Sequence, residues 1–149
     1  MSSQPPFPPK AIKAADRLAP LLVDGRPPRL LLVEDNATNA LLGKALLEHL
    51  GCTVEVVADG AEAVRRVGSG RYDLVLMDLS MPVMDGLEAT RRLRALGVGV
   101  PIVALTATPA EREALQAGGF NGCLAKPVSA AALRAAIAGT LASVSRRGA

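Results

Sequence analysis

Residues 72–86 read YDLVLMDLSMPVMDG, and this stretch decides how the rest of the chain folds. Leu74, Val75, Leu76 and Met77 run without a polar break into the carboxylate of Asp78. A short continuous apolar run rich in branched residues suits a strand buried on both faces, which belongs to a parallel sheet covered by helices. Asp78 then falls at the carboxyl end of that strand, the edge where open α/β sheets bind their ligands.

Outward from this strand the chain alternates. Residues 30–33 form a buried strand ending at Glu34 and Asp35, and Asn36 can cap a helix that runs to Leu50 and stops at Gly51. Residues 52–57 are the next strand. Asp59 and Glu62 make a capping box for a helix lasting to Gly68, in which the aspartate bonds a helical N–H and the glutamate reaches back. After the central strand, Asp85 and Glu88 repeat the box and open a helix with a charged face of Arg91, Arg92 and Arg94, ending near Gly97. Residues 101–105 are a fourth strand ending in Thr106. Thr108, Pro109 and Glu111 start a helix that closes at Gly118 and Gly119. Residues 121–125 are a short fifth strand, Lys126 and Pro127 a turn, and Ser129 opens a last helix reaching about Ser143. Five strand-helix units in strict alternation predict a doubly wound parallel α/β sheet with helices on both faces. The strand order suited to this size, by analogy with flavodoxin-like (βα)5 folds, is 2-1-3-4-5.

With 149 residues the chain holds one domain, expected over residues 29–143, between an arm or linker over residues 1–28 and a tail over residues 144–149. Seven of the eleven prolines lie in residues 1–28, as in a flexible or polyproline-like segment. Only three residues are aromatic, so the core must be built from Leu, Val, Ile and Ala. The formal charge of +3 resides in the flanks: residues 29–143 carry eleven Lys/Arg against twelve Asp/Glu, and the flanks carry six against two. A nearly neutral folded part with almost no aromatic side chains argues against direct nucleic-acid binding. No apolar run approaches the roughly 20 residues that span a bilayer, and the Pro-rich start lacks the apolar segment of a signal peptide; a soluble, cytoplasmic protein without membrane contact is expected. Cys52 and Cys123 fall on opposite sheet edges, about four strand spacings or ~19 Å apart, which excludes a disulfide.

If strands 1, 3, 4 and 5 are neighbours, their carboxyl ends gather Glu34, Asp35, Asp78, Thr106 and Lys126. Three carboxylates in one crevice repel and call for a cation. Oxygen ligands with open positions suit Mg²⁺, which keeps several waters and commonly shares itself with a phosphate. A carboxylate beside Mg²⁺, a lysine and a small hydroxyl is equipped for phosphoryl transfer: Asp78 as nucleophile, Lys126 and the metal against negative charge, Thr106 as hydrogen-bond donor.

LLVEDN at 31–36, LMDLSMPVMDG at 76–86, ALTA at 104–107 and LAKP at 124–127 together resemble the receiver domain of two-component response regulators and hybrid histidine kinases. The resemblance implies that Asp78 accepts a phosphoryl group from a histidine kinase or histidine phosphotransfer protein and releases it slowly by hydrolysis. It implies Mg²⁺ on Asp35, Asp78 and the backbone carbonyl of Ser80, with Glu34 acting through water, and a cis bond before Pro127. The broad apolar arc of the first helix reads either as ordinary core with a few scattered surface leucines or, as the resemblance suggests, as a docking patch for the donor that includes Leu41 and Leu47. Receivers carry Tyr or Phe three residues before the lysine as a switch ring; Cys123 stands there instead, and Phe120 lies too early in the strand to replace it. This points to a protein that passes phosphate onward more than it rearranges an output face.

Other functions fit less well. A receiver-like binding module that is never phosphorylated would not need Asp35, Asp78, Thr106 and Lys126 together. A haloacid-dehalogenase-type phosphatase needs an aspartate where Ser80 stands. A nucleotide-binding enzyme needs a Gly-rich loop where residues 34–36 are Glu-Asp-Asn. His49 lacks companions and reads as a helix-terminal residue. With few residues beyond the last helix, no DNA-binding output domain is expected, in keeping with a free-standing or hybrid-kinase-type receiver.

Overall fold

The computed structural model describes residues 21–79, 86–106 and 112–148. The expected capping boxes at Asp85 and at Thr108, Pro109 and Glu111, the carbonyl of Ser80 and residues 1–20 of the arm lie outside them.

Five strands and five helices alternate: β1 (Arg29–Val33), α1 (Ala37–His49), β2 (Thr53–Val57), α2 (Gly60–Ser69), β3 (Leu74–Asp78), α3 (Gly86–Ala95), β4 (Ile102–Thr106), α4 (Arg112–Ala117), β5 (Gly122–Ala125) and α5 (Ala130–Gly148). All strand pairs are parallel, in the order β2-β1-β3-β4-β5. Every residue of β3 and of β4 is buried, as continuous apolar strands between two helical layers must be. Alternate strand residues feed two cores. Leu31, Val33, Val75, Met77, Ile102 and Ala104 face α2, α3 and α4. Leu30, Leu32, Leu74, Leu76, Val103 and Leu105 face α1 and α5.

Of the three expected helix caps among the described residues, two follow the sequence and one differs. Asn36 Oδ1 accepts from Asn39 N at 2.9 Å, and Ser129 Oγ from Ala132 N at 3.0 Å. At α2 only the forward half of the capping box forms: Asp59 Oδ1 accepts from Glu62 N at 2.8 Å, while the Glu62 carboxylate turns to Arg65 and Arg66. The two long cations one turn along outcompete a backbone amide for that carboxylate.

Ordered structure continues past residue 29 on one side and past residue 143 on the other. Residues 21–28 are packed on the domain: Leu21 is buried with Leu30 and Leu74, Val23 and Arg26 exchange backbone hydrogen bonds, and Arg26 pairs with Asp73. At the other end α5 runs on to Gly148, since neither Pro nor Gly interrupts residues 140–147.

Arg94, expected on the charged face of its helix, turns inward instead. It donates to the carbonyls of Gly119 (3.0 Å) and Val98 (2.7 Å) and to Asn121 Oδ1 (3.0 Å), which also accepts from Ile102 N at 2.8 Å. Arg91 and Arg92 pair with Glu88, three and four residues before them, whereas Arg94 is drawn to the carbonyls that follow α3 and α4. Gly119, at φ 102°, permits this approach; a Cβ there would stand 2.8 Å from Arg94 Cγ. The clamp ties the ends of α3 and α4 to the start of β4.

Candidate functional site

Strand register builds the site. Asp78 closes β3 opposite Leu105, and Thr106 closes β4 opposite Ala125. Just past β1, Glu34 N continues the ladder onto Val57 O at 3.0 Å, and past β5, Lys126 N donates to Thr106 O at 2.9 Å. The carboxyl edge of the sheet therefore presents Glu34, Asp78, Thr106 and Lys126 side by side. Gly86 shapes this edge: a Cβ there would lie 2.7 Å from Met77 Cγ and 2.8 Å from Asp78 O, so only glycine lets α3 start against the end of β3. The Lys126–Pro127 peptide is cis.

Asp78 is 1% exposed and Glu34 is 6% exposed, whereas Asp35 is open to solvent. One carboxylate oxygen from each of the three lies within 4.8 Å of the others. Lys126 Nζ stands 2.9 Å from Asp78 Oδ1 and 3.8 Å from Glu34 Oε1. Burial pushes the Glu34 carboxyl above the usual range and nearby Asp78 adds to this, against the Asn36 N–H that Glu34 accepts at 3.3 Å and the Lys126 ammonium. A single ammonium among three carboxylates leaves an excess of negative charge. This all-oxygen set, buried on two sides and open to water at Asp35, fits a hard divalent cation such as Mg²⁺.

One expected position differs from the sequence reading. Leu47 is not on the surface: it is 1% exposed in the core with Leu32 and Leu76. Six residues of helix rotate it about 240° from Leu41, at 100° per residue, so the two cannot share one patch. Leu41 and Leu42 are the leucines of α1 that are open to solvent, at 70% and 60% exposure. Cys123 is half-buried and lines a cavity of about 340 Å³ together with Val103 and the small residues Ala135, Ala136 and Gly139. Phe120 is 4% exposed and fixed in the core with Leu115. Sequence reasoning took Asn36 only as a cap and missed that its N–H also holds Glu34. It likewise gave no weight to Gly86, whose signal was a glycine just beyond the acidic strand end.

A doubly wound sheet of this order, with three carboxylates and a lysine at its carboxyl edge, defines a flavodoxin-like receiver fold. The chain belongs to the response regulator receiver family: residues 30–138 match the family described as the response regulator receiver domain. It is 43% identical to the sensor protein GacS of Pseudomonas syringae pv. syringae over 81% of this chain and 14% of that protein. It is 38% identical to histidine kinase 5 of Arabidopsis thaliana, over 72% of this chain and 15% of the kinase. The chain thus spans about a seventh of these relatives. Against the two-component response regulator ORR41 of Oryza sativa subsp. japonica, identity is 45% over 68% of this chain and 84% of that protein. Among solved structures it resembles the receiver domain of sensor histidine kinase PA1611 from Pseudomonas aeruginosa PAO1. That comparison gives 43% identity and a TM-score of 0.72 over 78% of this chain and 98% of the other. The PA1611 structure carries a magnesium ion coordinated in its active site cleft.

Proposed function

We propose that this chain is the phosphoryl-accepting receiver of a two-component phosphorelay, in which Asp78 takes a phosphoryl group from a phosphohistidine of a histidine kinase or histidine phosphotransfer protein. The observation that carries this reading is the 2.9 Å contact between Lys126 Nζ and Asp78 Oδ1 inside the acidic trio. An oxygen of Asp78 attacks phosphorus and forms the new P–O bond. The P–N bond to the donor imidazole breaks, and its electron pair stays on the ring nitrogen. Lys126, already at the nucleophile, offsets negative charge on the transferring oxygens, and the Thr106 hydroxyl at the end of β4 donates to one of them. Glu34, Asp35 and Asp78 would hold Mg²⁺, which when bound supplies charge neutralisation and orientation. The carbonyl of Ser80 joins that set by family resemblance. Release is hydrolysis of the acyl phosphate, restoring the carboxylate. A cytoplasmic setting belongs to the same proposal; no helix among the described residues is long and apolar enough to cross a membrane.

Cys123 favours a relay over a switch. No ring occupies that position, and the buried Phe120 is held by core packing, so no aromatic side chain on β5 is placed to follow the Thr106 hydroxyl. Phosphorylation should therefore leave amide chemical shifts along α4 and β5 little changed.

The test is intact mass after incubation with acetyl phosphate and Mg²⁺, on the wild type and on Asp78→Asn, with and without chelator. The expected result is gain of one phosphoryl group, lost with chelator and with the substitution. Gain that survives Asp78→Asn would overturn the assignment.

A further inference from the structure

The end of the sheet opposite the acidic crevice carries the reverse charge. Arg26 and Pro27, which lead into β1, Arg29 at its start, and Arg71, Tyr72 and Asp73 before β3 line an open cavity of about 550 Å³. That volume falls among small-molecule pockets, which measure roughly 300–1,000 Å³. Three guanidinium groups line it with one carboxylate, Asp73, and Glu55 beside it pairs with Arg29, so three positive charges face two negative ones.

The guanidinium groups are positioned without being covered. Arg26 grips Asp73 through two bonds of 2.9 and 3.1 Å and remains 50% exposed. Arg29 donates to Glu55 Oε2 at 3.2 Å, lies 5.3 Å from the centre of the Tyr72 ring and remains 42% exposed. The Tyr72 hydroxyl is itself fixed, donating to Glu55 Oε1 at 2.5 Å. Arg71 is exposed and makes no hydrogen bond or ion pair among the described residues. Two forks held in fixed directions and a third free to close over a guest match the oxygens of a diphosphate better than a single carboxylate does. Pro27 adds an apolar patch to the lining, while the Tyr72 ring lies beneath Arg29.

We infer that this cavity binds a small diphosphate anion. The site is separate from Asp78 and independent of its phosphorylation. Because Arg26 and Pro27 belong to the segment entering β1 while Arg71 to Asp73 belong to the loop after α2, such an anion fastens one to the other. The bound anion thereby tightens residues 26–27 against residues 71–73.

The experiment titrates the full ¹⁵N-labelled chain with pyrophosphate, in chelator so that the acidic crevice is metal-free, and follows amide shifts. Saturable shifts at Thr53, Arg71 and Tyr72 are expected, with a Kd on the order of 0.1–1 mM and weakening with added salt. Arg71→Gln should weaken binding roughly ten-fold, as loss of a charge-assisted phosphate contact does, while acetyl phosphate labelling of Asp78 stays at the wild-type rate. Adenosine alone should leave these amides unmoved. Shifts that do not saturate, that fall at residues 34–36 or 146–147 instead, that persist at equal affinity in Arg71→Gln, or that adenosine reproduces would each overturn the site.

Discussion

Lys126 Nζ stands 2.9 Å from Asp78 Oδ1 and 3.8 Å from Glu34 Oε1, one cation against two buried carboxylates with the third, Asp35, at the rim. The pair is built by register: β3 and β5 flank β4, and each ends where the next side chain turns over the edge of the sheet. The ammonium offsets one charge, and the remaining repulsion between carboxylates about 5 Å apart is about 3 kcal/mol at an effective dielectric near 20.

A divalent cation should therefore stabilise the fold. At about 100 times its Kd, Mg²⁺ is expected to add about 2.7 kcal/mol, read as a rise in Tm over the chelated protein. Asp35→Asn and Asp78→Asn should each remove most of that rise, because each deletes a ligand charge. An equal rise in Asp78→Asn would place the cation elsewhere.

Leu41 and Leu47 lie on the same helix but respond to different forces. Leu47→Ala truncates a side chain buried in the same core cluster as Leu32 and Leu76 and should cost about 2–5 kcal/mol in urea unfolding. Leu41→Ala, at an exposed site, should change stability by no more than about 0.5 kcal/mol. If Leu41 and Leu42 meet the donor protein, Leu41→Asp slows transfer from a phosphohistidine protein and leaves acetyl phosphate labelling unchanged. Equal slowing of both would place the effect at the chemistry instead of at docking.

The sheet was legible because its strands are short apolar runs punctuated by glycine, proline and capping residues, and because acids follow β1 and β3 directly. Asp78, Glu34, Asp35, Thr106 and Lys126 share a sheet edge for the same reason: topology alone carries strand ends to one side. What the sequence concealed depends on rotation and on contacts between distant segments. The apolar arc of α1 does not say which leucines face the sheet, so Leu47 looked as available as Leu41. Arg94 reads like Arg91 and Arg92 until α4 brings the Gly119 carbonyl to it. The residues before Arg29 read as linker because Leu21 and Arg26 find Leu74 and Asp73 only after folding.

Thr90 is fully buried on α3, and its Oγ1 has no hydrogen-bond partner among the described residues. An unsatisfied buried hydroxyl costs about 1–3 kcal/mol, so the near-isosteric Thr90→Val should raise stability by about 1 kcal/mol after the modest change in helix propensity. Chemical denaturation at neutral pH measures this directly. A loss of stability would mean that the hydroxyl is satisfied by an internal water.

Asp73 supplies the pH dependence. Its burial favours the neutral acid, but the hydrogen bond from Arg26, the backbone N–H of Arg29 at 2.7 Å and the charges of both arginines outweigh this and hold the carboxyl below its usual range. An acid with a depressed folded pKa stabilises the fold fully above its unfolded pKa, about 3.9, and that contribution disappears as pH falls through the lower folded value. Asp73→Asn leaves a weaker acceptor for the Arg29 amide and no countercharge, at an expected cost of about 2 kcal/mol at pH 7. The difference from the wild type in urea midpoint should be constant through neutral pH and shrink below about pH 4, as the wild-type carboxyl takes up its proton. Because Arg26 belongs to the segment entering β1, the same substitution should speed hydrogen exchange at residues 23–26, whose turn Asp73 anchors through Arg26. A difference in midpoint that stayed constant down to pH 3 would show that packing, and not the ionised carboxylate, holds this segment in place.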